Sequence, residues 1–383
     1  MAVTSHTDCL VVGGGIIGLS IAYELACHGV SVRLLERGQT GREASWAGAG
    51  ILPPGSWFSD HPALERLATA SFPLHAEWSA RLREETGIDD EFSECGALYA
   101  ITSGSESRLR RKFASWSSQG IECKLVSANE ARTIEPCWSA GDAYFVPSES
   151  QVRNPRRLAA LRIACQERGV VIETNAEVIR FTNQAGRVIA AETATRSFGA
   201  DSFCLAAGAW TGPVASLLSL RMPTAPVRGQ MLLLRLPKQT LHSVIHSDGR
   251  YIVPRQDGRI LVGATVENVG YDKATNAADI DALQKFAVDL VPTLQQAEVE
   301  TAWAGLRPGN DDDLPIIGRA PRHENVWLAT GHYRSGLQFA PATAIAVRQS
   351  ITGDLPAFDL SPFSPERFAV EQRVQPRPVE RSA

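Results

Sequence analysis

The stretch "CLVVGGGIIGLSIAYELACHGVSVRLLE", residues 9–36, constrains this chain more than any other. Leu10 to Val12 read as a short apolar strand, and Gly13-x-Gly15-x-x-Gly18 reads as a turn. Apolar residues then recur at helical spacing from about Ile16 to His28, with Ile17, Ile21 and Leu25 on one face, and Gly29 stops the helix. "VSVRLLE" follows as a second strand ending at Glu36. This is a βαβ unit with a glycine turn at the helix N-terminus. Gly13 permits the tight turn, Gly15 lets the backbone approach a pyrophosphate, and Gly18 lets helix and strand pack closely. Free amides and the helix dipole favour the phosphates. Glu36 suits a ribose 2′-OH and argues against a 2′-phosphate, hence against NADP. The fingerprint alone leaves NAD and FAD both open.

Length and composition narrow the class. The chain has 383 residues, 44% hydrophobic, enough for about two domains with a real core. A net charge of -4 is too near neutral to point to nucleic acid or an acidic membrane surface. Seven scattered cysteines without a CxxC read as reduced thiols of a cytoplasmic protein, with no disulfide framework or zinc site. "FCLAAGAWTGPVASLLSL" is uncharged, yet Gly208, Gly212 and Pro213 break it, so no membrane span is expected. The closing "VEQRVQPRPVERSA" reads as a tail. No P-loop, GxSxG or HExxH occurs.

Three further stretches carry chemistry or its semblance. "GQTGREASWAGAGILPPG" holds Ser45 and the small residues Ala47 to Gly50, which let backbone lie against a flat ring. Nicotinamide enzymes run straight on into further βα units; this chain interrupts the fold here. "FCLAAGAWTG" is a second apolar strand ending in small residues, and Ala206 to Ala209 suit close packing and a cofactor contact equally well. His242 and His246 have the spacing of a helical metal pair, but no acidic or Cys partner lies near them in the chain, so they read as two unrelated histidines. The run Asp311–Asp313 reads as a solvated turn.

The motifs "GREASWAGAGIL", "CLAAGAWT", "PVRGQM", "RYIVPR", "WAGLRPGNDDDLPIIG" and "WLATGHYRSGL" follow the βαβ unit in an order that is specific. By these the chain resembles the D-amino acid oxidase family of FAD enzymes, in its glycine oxidase branch of the thiamine-pathway type. The resemblance implies that Arg307 holds an amino-acid carboxylate, that Tyr251 adds a hydrogen bond to it, and that Arg334 lies near both flavin and substrate. It assigns FAD contacts to Ile16, Ile17, Glu36, Arg37, Ala44, Ser45, Ala49, Gly50, Ile51 and Val178, and to the loop His332, Tyr333, Arg334, Ser335, Gly336, Leu337 and Gln338. Ala207 and Gly208 of "CLAAGAWT" join them. The family carries Ser or Thr at Ala44, and Ser or Ala at Trp46. On local grounds Arg307 also reads as a surface residue before a Pro–Gly turn, and Tyr251 as an aromatic on a half-buried strand.

The chemistry so implied is hydride loss from the amine carbon to the flavin, reoxidation by O2 to hydrogen peroxide, and imine hydrolysis. The flavin does the hard chemistry, so no general base is assigned. No cysteine follows Cys204, so FAD is expected to be noncovalent. The expected fold is α/β: a Rossmann-like FAD-binding domain of the glutathione-reductase type from 1–88, 147–220 and 306–383. An interleaved α+β substrate domain with a large mixed or antiparallel sheet comes from 89–146 and 221–305. "LPPGSWFSDHPALE" is a candidate lid. Expected partners are a small amino acid and O2, further copies of the chain, and a thiazole synthase. The rivals are a D-amino acid dehydrogenase serving a quinone, a sarcosine oxidase, and a flavin-binding protein without turnover. An arginine in the loop after "TGH", here Arg334, favours the oxidase.

Overall fold

The computed structural model describes residues 3–56 and 61–368. The aromatic pair of the candidate lid, Trp57–Phe58, and the tail "VEQRVQPRPVERSA" lie outside them.

The first strand runs Val3–Val12, longer than its apolar core suggested, and the helix after it spans Ile16–Cys27. In the strand, Cys9 and Val11 point to one side and Leu10 and Val12 to the other, and all four are buried. That is the pattern of a strand covered on both faces. Its sheet has Ile316–Arg319, Val326–Thr330, Ser197–Leu205, Val3–Val12, Val32–Leu35 and Val171–Glu173 side by side. All pairs in that row are parallel except the first. A hairpin, Arg180–Gln184 and Arg187–Glu192, is attached to Ser197–Leu205. Helices Ile16–Cys27, Asn154–Glu167 and Gly336–Thr352 pack on one face. On the other face, Phe181, Val188 and Phe198 of the hairpin region close over Leu10, Leu205 and Leu328.

A second sheet of eight strands runs Glu298–Gly309, Ala225–Arg235, Arg259–Gly263, Arg250–Pro254, Val244–Ser247, Ala97–Ala100, Ala143–Val146, Lys124–Val126. Only Val244–Ser247 with Ala97–Ala100 is parallel. The helix Ala277–Leu290 seals its far face through Leu283 and Ala287. The near face carries one aligned row: Tyr144, Tyr99, His246, Tyr251, Gly263, Met231 and Trp303 are directly opposed from strand to strand. Opposed residues share a face, so this row forms a continuous wall.

In "VIETNAEVIRF" strand pairing stops at Glu173, and Val178 sits in the connection before Arg180. The strand carrying Arg307 runs unbroken from Glu298 to Gly309, across the expected division at 305/306.

Candidate active site

Four parallel strands of the first sheet end on one cleft of about 520 Å³: Val12 leads to Gly13, Leu35 to Glu36, Leu205 to Ala206, and Thr330 to the loop His332–Ser335. Carboxyl ends of parallel strands are where such folds bind ligands.

At one end the chain backbone makes the wall. Gly13 has φ of +112°, and a Cβ there would sit 2.4 Å from the Ala206 carbonyl oxygen. A Cβ on Gly50 would sit 2.0 Å from the Val152 carbonyl oxygen. Close packing and cavity lining therefore coincide at "CLAAGAWT": Ala206 abuts the turn while Ala207 and Gly208 line the cleft. Glu36 folds back on the turn, accepting the Gly14 amide at 2.7 Å and the Gly38 amide at 2.8 Å. Its carboxylate oxygens keep lone pairs for a further donor. The Ser45 hydroxyl accepts the Ile16 amide at 2.9 Å, tying the small-residue segment to the helix start. Arg37 lies 3.7 Å above the Trp210 ring and pairs with Glu43 at 2.9 Å. Val178 is brought to the wall by the bonds Ala176 N–Glu36 O and Ile179 N–Glu192 O.

In the middle, the loop His332–Ser335 turns through Tyr333, whose φ is +49° and whose amide donates to Pro308 O. The helix Gly336–Thr352 follows and aims its N-terminus at the cleft through Gly336, Leu337 and Gln338. His332 is buried; its Nε2 meets Thr343 Oγ1 at 3.1 Å, and burial pushes its pKa down to about 3. His332 Nδ1 is buried with no hydrogen-bond partner among the described residues. That orphan, the glycine cradle and the helix terminus fit a flavin dinucleotide. The Gln338 side chain is spent on Pro53 O and Gly55 O, both at 2.9 Å. Ser56 is held from the other side by Glu65 and the Lys112 ammonium. The first residues of the candidate lid are thus fastened at both edges.

At the far end, side chains of the second sheet make the wall. Arg307 lies flat on Gly229, where a Cβ would come within 2.0 Å of Nη2. Its Nη1 donates to Thr265 O at 3.0 Å and Arg228 O at 3.3 Å. Burial lowers the Arg307 pKa; the Tyr251 phenol opposes this and the Arg334 charge adds to it. Tyr251 donates to Met231 Sδ at 3.4 Å. Arg334 donates to Gly249 O at 3.3 Å, joining the first sheet's loop to the turn before Tyr251.

All the candidate residues line this one cleft except Gly18. A Cβ on Gly18 would lie 1.9 Å from Gly13 O, so it shapes the turn from behind rather than touching a ligand. Reading by motif gave no role to several residues that line the cleft or brace it from behind. Asn154 holds Ser45 O and Trp46 O at 2.7 and 2.8 Å; before a proline at a helix start it reads only as a helix opener. Trp46, where the family has small residues, packs on Trp303 at 5.2 Å, and Trp303 donates to Ala47 O. His246 is no metal partner of His242: it stands in the strand Val244–Ser247, whereas His242 precedes it. Its partner is Glu149, 2.6 Å away and remote in the chain. None of the seven cysteines, all free thiols, lines the cleft.

The comparisons with known proteins agree with this geometry. Residues 8–349 match the model of the DAO family, FAD dependent oxidoreductase. The chain is 37% identical over 361 residues to a glycine oxidase of Pseudomonas putida, covering 93% of this chain and 98% of that one. It is 32% identical to the bifunctional protein ThiO/ThiG of Trichormus variabilis, covering 96% of this chain and 56% of that one. The crystal structure of glycine oxidase from Geobacillus kaustophilus superposes with a TM-score of 0.91 at 33% identity, covering 94% of this chain and 98% of that one. By fold, cleft and sequence, the chain belongs to the DAO family of FAD-dependent oxidoreductases.

Proposed function

We propose that this protein oxidises glycine and other small amines, converting glycine, O2 and water to glyoxylate, ammonia and hydrogen peroxide. The observation that carries the reading is Arg307, laid on Gly229 beside Tyr251 on the cleft wall, with the relatives named glycine oxidase supporting it. When bound, FAD supplies the two-electron oxidation of the amine carbon and delivers the electrons to O2. The protein's part is orientation and field. Arg307 offers paired N–H groups to a carboxylate, and its own contacts to Thr265 O and Arg228 O keep the guanidinium from turning. Tyr251 adds one donor to the same group. Arg334 and the N-terminus of Gly336–Thr352 hold positive potential along the cleft.

On the same reading FAD is held noncovalently at Gly13, Gly15, Glu36, Ser45 and Val178. The chain divides into a cofactor-binding unit, 1–88, 147–220 and 306–383, and a substrate-binding unit, 89–146 and 221–305, with the strand Glu298–Gly309 running through the join. The fused ThiO/ThiG relative supports a thiazole synthase as partner and a role in thiamine formation. Among the described residues no helix is long and apolar enough to cross a membrane. A cytoplasmic location and a homo-oligomeric state complete the proposal. The test is peroxide release by the purified yellow protein with glycine, sarcosine, D-alanine and D-proline side by side. Glycine at least comparable to D-alanine is the expected result. Bleaching of the flavin by D-amino acids without peroxide would replace the oxidase with a dehydrogenase.

A further inference from the structure

We infer that His246, held by Glu149, takes the proton that the substrate's ammonium must lose before its C–N bond is oxidised. The inference rests on the amine-oxidase reading and adds the proton acceptor which that reading lacks.

An amino acid at neutral pH carries –NH3⁺, whose nitrogen has no lone pair to support removal of hydride from the neighbouring carbon. One N–H bond must break, its electron pair staying on nitrogen and the proton passing to a base. At the substrate end of the cleft the titratable wall residues are Tyr251, Arg307, Tyr333, Arg334, His332 and His246. Guanidinium and phenol groups keep their protons near neutral pH. His332 is buried against Thr343 and holds a proton only near pH 3. His246 remains, and imidazole is the side chain built to exchange a proton in this range.

Its setting matches the task. Glu149 is fully buried, and its two oxygens meet His246 Nε2 and the Tyr99 hydroxyl. A buried carboxylate is costly unless paired, and this one holds the imidazole with one oxygen and the Tyr99 hydroxyl with the other. The ring is stacked on Tyr99 at 4.3 Å and 10°, which fixes its plane. On the other side it meets the Tyr251 ring edge-on at 6.5 Å, one residue from the carboxylate clamp. The charged and titratable groups around His246 are Glu149 from the turn after Ala143–Val146, Tyr99 from the neighbouring strand and Tyr251 from the hairpin, with Cys95 and Cys123 beyond Glu149. The proton so taken lies on a ring already hydrogen-bonded to the Glu149 carboxyl group.

The experiment uses holoenzyme of wild type, His246→Asn and Glu149→Gln, with kcat/KM for glycine measured from pH 6 to 10. Each is first checked for an unchanged flavin spectrum and unchanged affinity for glycolate, which has the carboxylate and no amine. His246→Asn is expected to lose on the order of 100-fold at pH 7 and to recover as the amine deprotonates by itself, replacing the wild-type acid limb. Glu149→Gln is expected to move that limb to lower pH, because imidazolium loses its counter-charge. A loss under threefold with both limbs unmoved overturns the inference. If His246→Asn does not retain FAD, the limb in Glu149→Gln decides alone. Wild-type enzyme inactive on every amine overturns the function reading and this inference with it; active wild type with unaffected variants overturns this inference only.

Discussion

The two ends of the cleft are built by different means. The nucleotide end is backbone: Gly13, Gly14, Gly50 and Ala206 place amides and carbonyls within a few residues of strand ends. The substrate end is side chains: Arg307, Tyr251, Met231 and His246 come from four strands and meet only because those strands are in register. A backbone-built site leaves a short motif, since close approach demands glycine at fixed spacing. A side-chain-built site leaves none, since any strand can carry an arginine.

The predictions press on that contrast. Gly13→Ala puts a Cβ into the Ala206 carbonyl at a φ side chains avoid, and should abolish recovery of yellow protein. A normal ratio of flavin to protein absorbance would break the contrast. Arg307→Ala should do the reverse, keeping the flavin while costing about 2–5 kcal/mol in kcat/KM, and a loss under threefold removes Arg307 from the substrate end.

The shared middle should respond to acid. Burial holds the folded-state pKa of His75 and of His332 down to about 3 from 6.5. Between those values the unfolded chain binds more protons than the folded one, so stability falls as pH drops. At pH 5 the loss is roughly 2 kcal/mol for each histidine. A Tm that stays level from pH 7 to 5 would sink this. Gly229→Ala, which evicts the guanidinium without touching its charge, should cost about 1–3 kcal/mol in kcat/KM with flavin content unchanged. The smallest effect is Tyr251→Phe, about 0.5–1.5 kcal/mol for one hydrogen bond, appearing in KM for glycine.

What the motifs could and could not reveal follows the same line. The βαβ unit was legible because the strand, turn and helix are local and each demands its own residue types. Gly18 was legible as a required glycine between helix and strand; the spacing says that something lies close, and the fold says it is the Gly13 carbonyl, with Val11 behind it. Val178 was named by resemblance alone; bonds from its neighbours Ala176 and Ile179 to Glu36 O and Glu192 O are what bring it to the cleft. Trp46 departed from the family pattern with no visible reason until Trp303 was found against it. His246 was dismissed with His242 because its partner Glu149 is 97 residues away in the chain.

By itself the sequence determined the first sheet's entry, the nucleotide cradle and the family, because backbone geometry at Gly13–Gly18 and Glu36 is dictated within one βαβ unit. Tertiary structure alone decided which side chains share the cleft wall. Strand register set Tyr99, His246, Tyr251 and Met231 in one row, laid Arg307 on Gly229, and brought His246 and Tyr99 to the buried Glu149. Register is a long-range property, settled by the packing of two whole sheets, and no short stretch of the chain contains it.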